Sequence, residues 1–138
     1  MKDIFCKIID GEIPSTKVYE DDDVLAILDI SQATKGHTLV MPKKHYQDFL
    51  STPAETMHNV YDVAQRIGQA MVGVLGAKGA NILTNVGEAA GQSVPHFHVH
   101  VIPRYTGGEG GFQISMKAQD TSSIDLPRLA LTIKEGIK

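Results

Sequence analysis

Between Pro95 and Tyr105 the chain reads PHFHVHVIPRY, with histidine at every second position of an otherwise apolar run. Side chains of an extended strand point alternately to opposite faces, whereas a helix scatters such residues around its axis. A strand over residues 97–104 would put His96, His98 and His100 on one face and Phe97, Val99 and Val101 on the other. Successive imidazoles would then stand about 6.5–7 Å apart, twice the rise per residue. The apolar face must be covered, and each packed imidazole needs polar partners. Such a strand belongs in a sheet with helices against it.

Four further segments fit that sheet. Lys17–Glu20 and residues 24–29 read as strands joined by the acidic turn Asp21-Asp22-Asp23, and residues 37–42, within KGHTLVMPKKH, read as a third. Residues 80–86 read as a fourth, after Gly76 and Gly79 stop the clearest helix. That helix opens on TPAE, where Thr52 is expected to cap, Pro53 to take the first turn and Glu55 to complete a capping box. Behind it Met57, Val60, Tyr61, Ala64, Ile67, Gly68, Met71 and Leu75 recur as a core-facing stripe. Ile4, Phe5, Ile8 and Ile9 mark a short helical stretch over residues 4–10, ended by Gly11 and Pro14, and a last helix is expected over residues 123–137. The expected fold is α+β, an antiparallel five-stranded sheet with a long helix and a short N-terminal helix.

With 138 residues and no repeat or linker-like stretch, one domain over residues 1–138 is the simplest organisation. The formal net charge of -3 argues against gripping long nucleic acids by phosphate attraction but permits a small phosphorylated ligand. Cys6 is the only cysteine, which excludes an internal disulfide and suits a reducing compartment. The stretch MKDIFCKIIDGE lacks the apolar core of a signal peptide, and no apolar run is long enough for a bilayer, so a cytoplasmic protein without membrane contact is expected.

Three chemistries compete for the histidine row. A single strand histidine is usually just hydrogen-bonded, but strict alternation of three is hard to reach by chance. Histidines at i and i+2 can share zinc or iron, yet Val101-Ile102-Pro103 follow His100 with no acid to complete the set. Alternatively a neutral imidazole attacks an electrophilic phosphorus while its neighbours hold the tautomer and the oxyanions. The loop over residues 87–95, with Asn85, Gly87, Gly91, Gln92 and Ser93 in and just before it, could bring backbone N–H groups close to a phosphate, or could be a plain turn.

HFHVHVI matches the His-x-His-x-His-x-x signature, with x apolar, of the histidine triad (HIT) nucleotide-binding proteins. The stretches IFCKIIDGEIPSTKVYEDDDVLAILDIS, KGHTLVMPKKH and NVGEAAGQSVPHFHVHVIPRY resemble the Hint-like bacterial branch, over about residues 3–107. The resemblance implies a HIT fold paired as a symmetric homodimer. It implies binding of purine nucleotides such as AMP, and hydrolysis of adenosine 5'-phosphoramidates to AMP and an amine. By the same resemblance His98 is the nucleophile that becomes adenylylated, His100 donates to the phosphate, and His96 and His37 support them. Ser93, Gln92, Gly91 and Asn85 fall at the phosphate and leaving group, and Asp29 falls at the ribose. Phe5, Ile8, Ile27 and Ile30, with Ile4, resemble the slot for the base, though each also suits ordinary core. No metal is required by this chemistry. Some bacterial relatives hold zinc through two cysteines and two histidines, matching Cys6, His45 and His96, but Asp3 stands at the other cysteine's position. That weighs against zinc, and Cys6 reads as a buried core thiol. Branches differ after Tyr105, in TGGEGGFQISMKAQD, where leaving-group preference is shaped. Two alternatives remain: hydrolysis of dinucleoside polyphosphates, and a nucleotide-binding interaction module with vestigial activity.

Overall fold

A computed structural model describes residues 2–106 and 114–138; within the segment after Tyr105, residues 107–113 lie outside the described residues. The element order is α1 (Ile4–Ile9), β1 (Lys17–Glu20), β2 (Val24–Leu28), β3 (Thr38–Pro42), α2 (Ala54–Leu75), β4 (Gly79–Leu83), β5 (Val99–Arg104) and α3 (Leu126–Gly136). All five strands form one antiparallel sheet in the order β1-β2-β3-β5-β4.

The apolar runs VLAIL and TLVMP explain why β2 and β3 lie near the centre. Both faces of these strands are buried, so they read as continuous rather than alternating hydrophobic segments. On one face Val24, Ala26, Val40, Val99 and Val101 pack against Val60, Ala64, Ile67 and Met71 of α2. On the other, Leu25, Ile27, Leu39 and Met41 pack with Phe5, Ile8 and Ile9 of α1. Each fully buried aliphatic side chain contributes about 1.5–3 kcal/mol. His98 and His100 therefore face the α1 side of the sheet.

Several boundaries differ from those the sequence suggested. Regular pairing in the histidine strand begins at Val99, because the Phe97 N–H donates to the Tyr46 carbonyl (2.6 Å) instead of to the neighbouring strand. β4 ends at Leu83, and beyond it the Thr84 hydroxyl donates to the His98 carbonyl (2.7 Å). Thr52 does not cap α2, and no capping box forms with Glu55. The N-cap is Pro53 without a side-chain bond, while the Thr52 hydroxyl donates to the Asp48 carbonyl (2.7 Å). A capping box forms one turn earlier, where Asp48 and Ser51 bond reciprocally around the short 3-10 turn Phe49–Ser51. Gly76 ends α2 in the left-handed region at φ 73°, as a glycine there should. Leu75, read as part of the core stripe, is 42% exposed. The last helix runs only over Leu126–Gly136, with Asp125 accepting from the Arg128 N–H at its start. None of the described helices is long and apolar enough to cross a membrane.

Candidate active site

A cleft of about 340 Å3 opens between α1 and the ends of β2 and β5. Phe5 and Ile8 of α1 face Ile27 and Leu39 across its apolar part, and Ile30, fully exposed, stands at its mouth. Asp29, Ser93, His98 and His100 supply its polar part.

Hydrogen-bond partners fix the tautomer of each ring. His98 Nδ1 lies 2.7 Å from the His96 carbonyl, an acceptor only, so Nδ1 carries the proton and Nε2 keeps its lone pair. The Ala33 N–H donates to His37 Nδ1 (3.2 Å), which leaves the His37 proton on Nε2 to donate to His100 Nδ1 (2.9 Å). His100 then carries its own proton on Nε2. The row accordingly offers the cleft one lone pair, on His98, and one N–H donor, on His100, with ring centroids 5.1 Å apart.

Burial keeps these rings neutral. It pushes His98 below the usual imidazole range, against the opposing pull of the His96 carbonyl. His100 is pushed down to about 4, first by burial and then by its histidine neighbours His98 and His37. Burial also lowers His37, although the Asp29 carboxylate, 3.6 Å from its Nε2, pulls the other way. An uncharged imidazole with a lone pair in a partly dry cleft is a nucleophile, and an adjacent N–H aimed at the same space can stabilise an oxyanion.

The remaining residues singled out by the sequence fall into three places. Phe5, Ile8, Ile27, Asp29, Ile30 and Ser93 line the cleft with the two histidines. Gln92 does not line it, since its side-chain carbonyl accepts from the Gly87 N–H (2.8 Å) and its amide donates to the carbonyls of Gln47 (2.7 Å) and Val94 (3.0 Å). The amide thus clamps the loop that carries Ser93. Asn85 is half-buried beside Gly91, whose φ of 94° needs a glycine, and neither lines the cleft. His96 and His37 sit behind the row. Sequence reasoning missed Pro14, Ser15, Thr16 and Ser31, which also line the cleft. They lie on connecting segments without a motif: the bond from the Leu28 N–H to the Thr16 carbonyl (2.9 Å) brings the segment before β1 beside Asp29, and the Ser31 N–H donates to the Asp29 carboxylate (2.8 Å).

Behind the row lies a second cluster. Asp3, Cys6, His45 and His96 place one ligand atom each within 4.8 Å of all the others. His96 Nε2 donates to the Pro42 carbonyl (2.9 Å), so its Nδ1 lone pair faces Asp3 Oδ2 (3.3 Å), His45 Nδ1 (3.3 Å) and Cys6 Sγ (3.6 Å). Lone pairs converging from a carboxylate, a thiol and two imidazoles favour a cation between them, and four such ligands suit tetrahedral zinc. The residues fit a metal. Cys6 is half-exposed at this cluster and is not the buried core thiol expected. Despite the burial that opposes it, the Cys6 N–H and the two imidazoles hold the Asp3 carboxyl below its usual range, ready to act as a charged ligand.

The description of the HIT domain family matches residues 10–107. The chain belongs to the HIT family. It is similar to Protein hit of Bacillus subtilis, with 47% identity over 97% of this chain and 93% of that one. A crystal structure of a HIT family member from the same organism superposes with a TM-score of 0.91 at 44% identity, covering 100% of this chain and 99% of that one. HIT relatives also include a zinc-bound histidine triad family protein from Mycobacterium smegmatis, with a TM-score of 0.75, 40% identity and coverage of 98% and 96%. Another is the Arabidopsis thaliana protein named adenylylsulfatase HINT3, 44% identical over 73% of this chain and 51% of its own length. The observed α+β architecture is thus that of the HIT fold.

Proposed function

We propose that the cleft binds purine nucleotides and that the protein hydrolyses adenosine 5'-phosphoramidates to AMP and an amine through an adenylyl group carried on His98. One observation carries this reading: of the three imidazoles in the row, His98 alone turns a free lone pair toward the cleft. In the first step a bond forms between His98 Nε2 and the α-phosphorus as the P–N bond to the amine breaks. The ring becomes cationic with its proton still on Nδ1, and the His96 carbonyl at 2.7 Å stabilises that charge. His100 Nε2–H donates a hydrogen bond to the phosphoryl oxygens, and the Ser93 hydroxyl passes its proton to the departing nitrogen while taking one from solvent water. Water then attacks the phosphorus as the N–P bond breaks, releasing AMP and neutral His98 and returning one proton to solvent. Asp29 accepts from the ribose hydroxyls, and Phe5, Ile8, Ile27 and Ile30 hold the base.

The decisive experiment incubates protein with an adenosine phosphoramidate labelled in the phosphate. Acid-labile label on the wild-type chain, absent from His98→Ala along with turnover, is expected. Substantial turnover by His98→Ala would refute the assignment. The relative named adenylylsulfatase supports a second leaving group, sulfate, on the same adenylyl transfer.

The cation belongs to the same proposal. Asp3, Cys6, His45 and His96 would hold zinc, which supplies a structural tie and no part of the reaction.

A symmetric homodimer completes it. Among the described residues no strand pairs with the outer edge of β4, and its GANIL sequence carries no charge, whereas the opposite edge strand β1 carries Lys17 and Glu20 and a break in register. An uncharged edge favours continuation by another strand. Sedimentation at micromolar concentration reads the state directly.

A further inference from the structure

Gln32 lies exposed on the loop between β2 and β3, yet its side-chain amide is fully engaged. Nε2 donates to the Asp29 carbonyl (2.5 Å) and to the His37 carbonyl (2.8 Å), and Oε1 accepts from the Gly36 N–H (2.7 Å). Two carbonyls and one N–H around the amide leave a single way to seat it. The side chain therefore staples the two ends of residues 29–37 together across the inside of the loop. Other bonds hold the loop from outside, against the end of β5. The Thr34 hydroxyl donates to the Pro103 carbonyl (2.7 Å), and the Tyr105 hydroxyl donates to the Lys35 carbonyl (2.5 Å).

Both outer anchors lie beyond the peptide that joins Gln32 to Ala33. That peptide carries the Ala33 N–H, which donates to His37 Nδ1 (3.2 Å). A backbone N–H can only donate, so its partner is a bare nitrogen and the His37 proton is held on Nε2, 2.9 Å from His100 Nδ1. One peptide plane thus decides the tautomer of His37, then that of His100, and with it the donor that the row presents to the cleft.

Turning that plane over would put the Gln32 carbonyl where the Ala33 N–H now stands. An acceptor there draws the His37 proton to Nδ1 and bares its Nε2. The bare Nε2 then draws the His100 proton to Nδ1, and His100 shows the cleft a lone pair in place of a donor. A misplaced proton also has other acceptors at hand: burial lowers the His37 pKa, but the Asp29 carboxylate and the Ser31 backbone oppose it. The loop must be held in one shape for the row to keep its direction.

We propose that Gln32 is a positioning residue for His100, its staple fixing the peptide before Ala33 so that the His100 proton stays on the cleft side of the ring. The effect on turnover rests on the donor role given to His100 above, whereas the ring nitrogens report the positioning directly. Imidazole 15N shifts separate a bare nitrogen from a protonated one. They are recorded at neutral pH on histidine-labelled wild type, Gln32→Ala and Gln32→Glu, with His37→Gln and His100→Gln assigning the signals. Wild type is expected to carry the proton of both rings on Nε2. Gln32→Glu keeps an acceptor for the Gly36 N–H but cannot donate to the two carbonyls, so in it, as in Gln32→Ala, both rings should shift toward Nδ1. With an adenosine phosphoramidate, kcat/KM should fall by the same factor as the fraction of His100 that keeps its Nε2 proton, about twofold where the tautomers equalise. Unmoved nitrogen shifts in both variants overturn the proposal, even beside a lower Tm, since a merely structural tie would give that. Wild-type rings protonated at Nδ1 overturn it as well. Shifted nitrogens with unchanged kcat/KM uphold the positioning and overturn the donor role of His100.

Discussion

Three imidazoles of the same sequence type do three different things because each has a different hydrogen-bond partner. His96 gives its proton to Pro42 and its lone pair to the Asp3 cluster, His98 gives its proton to His96 and its lone pair to the cleft, and His100 receives from His37. In the proposed reaction Ser93, which lines the cleft, assists protonation of an amine, which leaves poorly without a proton, whereas sulfate leaves as an anion. Ser93→Ala should therefore slow phosphoramidate turnover by roughly 10²-fold and adenosine 5'-phosphosulfate turnover far less, compared as kcat on the two substrates. The depressed His100 pKa has a stability consequence. Its folded value of about 4 lies below the ordinary 6.5, so the unfolded chain binds more protons between those values. The stability that His100 contributes is full above about 6.5 and is lost as pH falls toward 4. Urea midpoints should fall from pH 7.5 to 5, and His100→Gln should flatten the decline over that window. The histidine row was legible in the sequence because period-two spacing is a local signal. The role of Gln92 was not, because its clamp on Gln47 and Val94 is visible only once separate loops meet.

Strand and helix types followed from hydrophobic spacing, but their ends followed from competition for hydrogen bonds. Thr52-Pro53-Ala54-Glu55 has the letters of a capping box, yet Thr52 is taken by the Asp48 carbonyl and the box closes at Asp48 and Ser51. Asp48→Ala should cost about 1 kcal/mol, read from chemical denaturation, and Glu55→Ala should cost little. An equal loss at Glu55 would restore the reading from sequence. The start of β5 shifted for the same reason, since Tyr46 takes the N–H of Phe97 before the neighbouring strand can. The length of α2 and its stop at Gly76 were legible because helical spacing over six turns and a left-handed glycine are strong signals. The exposure of Leu75 was not, because spacing names a face and says nothing of where the sheet beneath it ends.

Across the molecule, the sheet separates a core packed on α2 from a smaller one packed on α1, and the histidine-lined cleft and the Asp3 cluster share the smaller side. A metal held there would tie α1 to the segment before β5, so zinc should raise the Tm, by an amount equivalent to about 2.7 kcal/mol at a hundredfold excess over Kd. Asp3→Asn keeps a capping oxygen for the Cys6 N–H but removes the charge, so it should diminish this shift while leaving the metal-free protein nearly as stable. Asp3→Cys should strengthen zinc binding, measured by calorimetry, because thiolates suit zinc better than carboxylates. The family resemblance pointed to all four positions of the cluster, but that Asp3 stands beside the other three shows only once α1 meets the segment before β5.

Phe5 stands edge-on to both His96 and His98, with ring centroids 5.9 and 4.9 Å away. A single turn of α1 thus serves as the party wall between two rooms: Asp3 and Cys6 furnish one, Phe5 and Ile8 the other. Redecorating either disturbs its neighbour. Directed evolution toward a bulkier nucleobase through positions 4, 5 or 8 should gather compensating changes at 3, 6 or 45, on the far side of the wall from the ligand it was selected to admit.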